Sequence, residues 1–122
     1  MELNLQNSLP IWKQLASRLK EEIVTGRYPA GSRLPSVRDL AAEVGVNPNT
    51  MQRAMTQLES DGLVMTNRTS GRIVTEDYSV LESTRLTLAE ECVRDYVEKM
   101  KALGFSIDEA AALIKKGNED GE

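Results

Sequence analysis

The sequence contains no histidine and a single cysteine, Cys92. Without histidine there is neither a Ser-His-Asp nor a Cys-His nucleophile pair, and no ordinary zinc site. A lone cysteine closes no internal disulfide, which fits a reducing compartment. Aromatic residues make up only 4% of the chain, with one tryptophan, Trp12. No apolar run approaches the ~18 residues that a membrane helix requires. The acidic start, Met1-Glu2, is unlike the basic opening of a secretory signal. These absences lead us to expect a cytoplasmic protein with no metal, no cofactor, no membrane partner and no enzymatic site. At 122 residues the chain accommodates one domain, or a small domain with an appendage, and no large substrate domain.

The net charge of −4 is unevenly placed. Residues 1–75 hold nine Lys/Arg and seven Asp/Glu, whereas residues 76–122 hold six and twelve. The first part is therefore at +2 and the second at −6, a shift that marks a boundary near Glu76. A mild positive balance on the first part is what a nucleic-acid surface needs, although charge runs are more often only solvated faces.

Residues 34–64 carry the clearest pattern. Val37, Leu40, Ala41 and Val44 recur at i, i+3, i+4, i+7, and Met51, Ala54, Met55 and Leu58 repeat that spacing, so two helices each bury one stripe. Ser36 with Asp39 forms the pattern of a capping box, and Gly45 is placed to end the first helix in the left-handed conformation. Asn47 then caps the second helix with Pro48 at its first position, and Val46 and Met51 are spaced as a hydrophobic staple. The result is a helix-turn-helix pattern. Opposite its apolar stripe the second helix presents Asn49, Gln52, Arg53 and Thr56, hydrogen-bonding groups with no carboxylate among them. Asn and Gln suit adenine edges, Arg suits guanine, and Thr suits a thymine methyl or a phosphate. The bland alternative is an ordinary solvated helix face.

Upstream, Ile11, Leu15, Leu19 and Ile23 predict an amphipathic helix from Pro10 that ends before Gly26, after an extended arm over residues 1–8. Trp12 beside this stripe reads as a core or domain-interface filler. Downstream, Gly62 is the helix stop, and residues 63–66 and 72–75 read as two short strands around Asn67-Arg68-Thr69-Ser70-Gly71. Three helices followed by a hairpin is a winged helix. Gly71 is expected at positive φ, close to a phosphate or minor groove, with Arg68 and Arg72 as candidate contacts.

The stretch LPSVRDLAAEVGVNPNTMQRAMTQLESDGLV resembles the DNA-binding domain of the GntR family of bacterial transcription regulators. Its VNPNT turn and the short C-terminal segment are similar to the YtrA-like branch, and residues 29–36, PAGSRLPS, fit the family's PxGxxLPS signature. The resemblance runs from about Pro10 to Val74. It implies that Arg38, directly after LPSV, contacts DNA; a surface ion pair with Asp39 or Glu43 is the alternative. Many family members carry arginines where this chain has Pro48 and Gln52, so their operator preferences do not carry over. The candidate DNA-binding set is Arg38, Asn47, Asn49, Thr50, Gln52, Arg53, Thr56, Arg68, Gly71 and Arg72.

In the second part Leu86, Ala89, Val93, Tyr96, Met100 and Leu103 alternate steps of three and four, a coiled-coil-like seam widened by Val97 and Cys92. Gly104 stops this helix, and Ser106 with Glu109 opens another whose stripe is Ile107, Ala110, Ala111 and Ile114, ending at Lys115-Lys116-Gly117. Two helices cannot enclose such a stripe alone. A second copy of the chain is the simplest supplier of the missing surface, and packing back onto the chain's own winged helix is the alternative.

The expected architecture is mainly α: a winged helix-turn-helix of three helices and a two-stranded wing over residues 1–75, a two-helix dimerisation segment over 76–117, and a disordered tail over 118–122. The expected function is a homodimeric, sequence-specific transcription regulator, a repressor by resemblance, on a double-stranded inverted-repeat operator. The rival reading is a winged helix used as a protein-interaction module. Neither an effector nor its chemistry is legible.

Overall fold

The structure, a computed structural model, describes residues 9–120, with side chains as far as Asn118. The expected arm over residues 1–8 and the last two residues lie outside the described residues. The chain divides into two compact units, one ending at Arg85 and the other beginning at Leu86.

Three helices form the body of the first unit: α1 (Ile11–Val24), α2 (Val37–Val44) and α3 (Pro48–Ser60). α1 buries Leu15, Leu19 and Ile23 as its periodicity requires, with Ala16 beside them. Ile11 fits the same period yet stays 44% exposed. Ser36 Oγ accepts the Asp39 N–H at 3.1 Å to cap α2. Gly45, at φ +82°, reverses the chain after it and donates its N–H to the Ala41 carbonyl at 2.8 Å. Asn47 Oδ1 accepts the Asn49 N–H at 2.7 Å, and Pro48 takes the first helical position of α3. Met51, Ala54, Met55 and Leu58 are fully buried between α1 and α2, and Val46 packs on the same cluster, where the staple pattern puts it.

The wing consists of β1 (Val64–Asn67) and β2 (Gly71–Val74), antiparallel with Val64 opposite Val74 and Asn67 opposite Gly71. Both strands lie one residue from the expected bounds. β2 also pairs on its other edge with the link before α2: Leu34 N–H donates to the Arg72 carbonyl and Val74 N–H to the Ser32 carbonyl, each at 2.9 Å. This isolated bridge, Arg33 opposite Ile73, was not expected from the sequence. It anchors the base of the wing to the segment that leads into α2.

α4 (Tyr78–Ala102) starts in the first unit and continues into the second. Asp77 Oδ1 accepts from Ser79 Oγ at 2.6 Å and from Ser79 N–H at 3.0 Å, which holds the Asp77 carboxyl below its ordinary value. Val80 and Leu81 pack against the winged-helix core. The compact unit thus extends beyond the charge boundary near Glu76, because packing and surface charge respond to different residues. α5 (Ile107–Asp120) opens with the expected box: Ser106 N–H donates to Glu109 Oε1 at 2.9 Å and Glu109 N–H to Ser106 Oγ at 3.1 Å. These bonds, the backbone one foremost, hold the Glu109 carboxyl below its ordinary value.

Two expectations for the end of the chain are corrected. α5 does not stop at Gly117, and residues 118–120 are helical rather than a disordered tail. An interior glycine costs a helix only about 1 kcal/mol, and Gly117 is not among the glycines at positive φ, so nothing there reverses the chain.

Candidate nucleic-acid interface

α3 has two faces of opposite character. Met51, Ala54, Met55 and Leu58 have no exposed surface, while Asn49, Gln52, Arg53 and Thr56 are exposed. Thr56 Oγ1 donates to the Gln52 carbonyl at 3.0 Å and accepts from Gln52 Nε2 at 3.4 Å. That leaves Gln52 its Oε1 and one amide hydrogen, the acceptor and donor pair that an adenine edge takes. Thr50 is half-buried in the first turn. Asn47 is exposed, but its Oδ1 is engaged as the helix cap, so only its amide nitrogen is left for a ligand.

The cations of the first unit separate by partner. Arg18 and Arg27 flank the buried carboxylate of Glu22 at 3.5 and 3.6 Å, Lys20 pairs with Asp61 at 2.9 Å, and Arg72 pairs with Glu59 at 2.6 Å. Arg38 in the first turn of α2, Arg53 on α3, Arg68 at the wing tip and Arg33 at the wing base have no carboxylate partner among the described residues. The alternative partners for Arg38, Asp39 and Glu43, do not pair with it. The unpaired arginines therefore belong to the helix-turn-helix and the wing, whereas the Lys20–Asp61 and Arg72–Glu59 pairs tie separate elements together. An arginine without a carboxylate keeps its full charge and its in-plane donors for a phosphate or a base edge.

The wing is shaped for exposure of its tip. Asn67 Oδ1 accepts from Thr69 N–H, Thr69 Oγ1 and Ser70 N–H at 3.0, 2.9 and 3.3 Å, which folds the turn and leaves Arg68 exposed. Gly71 has φ +76° as expected, and the Arg33 guanidinium lies across it, with Nε 3.5 Å from where a Cβ would stand. Arg33 was missed in the sequence. Its signal was strand alternation, since Leu34 beside it is buried and Arg33 must then face out.

Arg72 has a different place from the groove contact expected of it. Glu59 Oε1 takes both the Arg72 Nε–H at 2.6 Å and the Thr66 hydroxyl at 2.9 Å, so this one carboxylate at the end of α3 grips both wing strands. Arg72 neutralises an acidic group that would oppose phosphate and fixes the wing to the recognition helix.

In the second unit the seam residues divide into two groups. Tyr96, Val97 and Met100 are half-buried, and the Tyr96 hydroxyl donates to the Ala110 carbonyl at 2.7 Å. Leu86, Ala89, Val93, Leu103, Ile107 and Ile114 are exposed, as is Cys92.

A sequence profile described as "Bacterial regulatory proteins, gntR family" matches residues 12–74, more than half of the chain. The chain belongs to the GntR family. Among its relatives, the Bacillus subtilis (strain 168) protein named "Uncharacterized HTH-type transcriptional regulator YhcF" is 34% identical over 121 residues, covering 99% of this chain and 100% of its own. The "HTH-type transcriptional repressor YtrA" of the same organism is 28% identical, covering 98% of this chain and 93% of its own. A solved structure, a "GntR family transcriptional regulator from Listeria monocytogenes", superposes with a TM-score of 0.80 at 38% identity, over 92% of this chain and 98% of that one. These likenesses extend past the winged helix through the helical segment, so the short architecture is shared. This GntR chain is a winged helix-turn-helix transcription regulator, in keeping with its relatives.

Proposed function

We propose that the protein is a homodimeric, cytoplasmic repressor that occupies an inverted-repeat operator. In each subunit α3 enters a major groove, Arg38 holds the adjacent phosphate or base, and the wing reaches toward the minor groove through Arg68 and the Gly71 turn. The observation that carries this reading is the sorting of the winged helix's arginines: Arg38 on α2, Arg53 on α3, Arg68 at the wing tip and Arg33 at the wing base have no carboxylate partner among the described residues, whereas Arg18, Arg27 and Arg72 are paired. Repression follows the relative named as a repressor, YtrA. Dimerisation is supported by the exposed stripe Leu86, Ala89, Val93, Leu103, Ile107 and Ile114, with Tyr96, Val97 and Met100 half-covered beneath it. Two-fold symmetry of the protein implies half-sites about 34–36 Å apart, one turn of DNA.

Selection of duplexes from a random-sequence pool tests the proposal. The expected product is an inverted repeat whose consensus changes toward guanine at one symmetric pair of positions when Gln52→Arg is used. Enrichment of no sequence, with retention of a protein ligand instead, would favour a protein-interaction module.

A further inference from the structure

Trp12 and Arg53 come from different helices, and no sequence pattern links them. The Arg53 guanidinium carbon lies 4.5 Å from the centroid of the Trp12 ring, and the neighbouring Lys13 ammonium lies 5.7 Å from it. Trp12 stands at the open end of the stripe formed by Ala16, Leu19 and Ile23, on the side of α1 that packs along α3. It is half-buried, whereas Arg53 is exposed. The half-buried ring carries the guanidinium over its face, a contact that apolar filling of a core does not call for.

We propose that Trp12 is a positioning residue for DNA recognition: its indole seats the Arg53 guanidinium and presents it, already oriented, from the recognition helix. The inference rests on the DNA-binding reading above. Tryptophan offers the strongest aromatic face for a cation. The seat differs from an ion pair in what it leaves free. Arg72 gives its Nε–H and its charge to Glu59, while an arginine over a ring face surrenders neither charge nor donors. An arginine on an exposed helix otherwise samples many rotamers and must abandon all but one on binding. Confining it beforehand removes that loss and raises affinity without adding a contact to DNA. Lys13, on the same ring, adds positive charge beside the seat.

The test uses the intact protein and a duplex selected by the wild type from a random pool. Trp12→Leu is expected to weaken binding about 3- to 10-fold, the range for a partly shielded cation–π contact, and Trp12→Phe to recover much of it. In an Arg53→Ala background, Trp12→Leu should change affinity by less than about 2-fold, because coupled residues are not additive. Equal losses from Trp12→Leu in both backgrounds would overturn the proposal. A second readout needs no variant: in the free wild-type protein the Arg53 δ-methylene and Nε–H resonances should be shifted upfield by the indole ring current. Unshifted resonances would overturn the seat even if Trp12→Leu failed to fold. A wild type that enriches no duplex would defeat the DNA-binding reading itself. One that enriches a duplex whose affinity ignores Trp12 would defeat only this inference.

Discussion

In the first unit Leu15, Leu19, Leu40, Met51, Met55, Leu58 and Leu63 have no exposed surface, whereas in the second Leu86, Val93, Leu103, Ile107 and Ile114 each keep between 56% and 72% of theirs. Both units are made of amphipathic helices, so helix pattern alone does not separate them. The difference is in how many sides a core can be closed from. The winged helix encloses its stripe with three helices, the base of the wing and the start of α4. The second unit buries only Ala110 among its described hydrophobic residues. Each large apolar side chain left in water forgoes about 1.5–3 kcal/mol of burial, and five of them on two helices amount to an unfinished interface. On the proposed reading, a closed unit that reads DNA and an open one that pairs with a second copy are separable parts.

Separation is most directly broken or sharpened by truncation. A chain ending at Arg85 should stay folded, because the cut keeps Val80 and Leu81 on the core. It should bind an inverted-repeat duplex about 10²–10⁴-fold more weakly than the intact chain, through loss of the tethered second half-site contact. Titration of whole and half operators measures this. Next in size is a pair of leucine substitutions, one buried and one exposed. Leu58→Ala should lower the unfolding free energy by about 2–5 kcal/mol in urea melts. Leu86→Ala should leave the winged helix's own melt nearly unchanged and weaken self-association instead. If both variants lose the same folding stability, the two units are not independent.

Arg38→Ala sharpens the function of the closed unit. It should leave folding intact and cost about 1–3 kcal/mol at one operator position if it reads a base. If it holds a phosphate, specific and nonspecific binding should fall together and the salt slope should flatten by about one unit.

The smallest expected effect is at acid pH. Asp77 and Glu109 both have folded pKa values depressed below their ordinary 3.8 and 4.5, so the caps of α4 and α5 contribute fully above those values. Their contribution fades as pH falls through the lower folded values. Circular dichroism should show a modest loss of helix stability in that window, absent from an Asp77→Asn, Glu109→Gln variant.

What was legible in the sequence follows the same division of local from distant. Ser36, Gly45, Asn47, Pro48 and the Ser106/Glu109 box act within a turn of their neighbours, so their capping roles are written in spacing. The Met51 to Leu58 stripe and the positive φ of Gly71 are local in the same way. The bridge at Arg33, the Glu59 grip on Arg72 and the Arg53 contact with Trp12 join residues far apart in the chain, and no periodicity announces them. Ile11 and Gly117 failed for a different reason: periodicity says which side a residue takes, not how far the core or the helix extends.

The central claim is that the second unit's open stripe is closed by another copy of the chain. Sedimentation equilibrium of the intact protein without DNA, beside Val93→Glu, tests it most directly. Twice the 13.5 kDa chain mass is expected for the intact protein, and a folded species of single mass for Val93→Glu, whose charge falls on the exposed seam. An intact protein that sediments at 13.5 kDa through the micromolar range would contradict it.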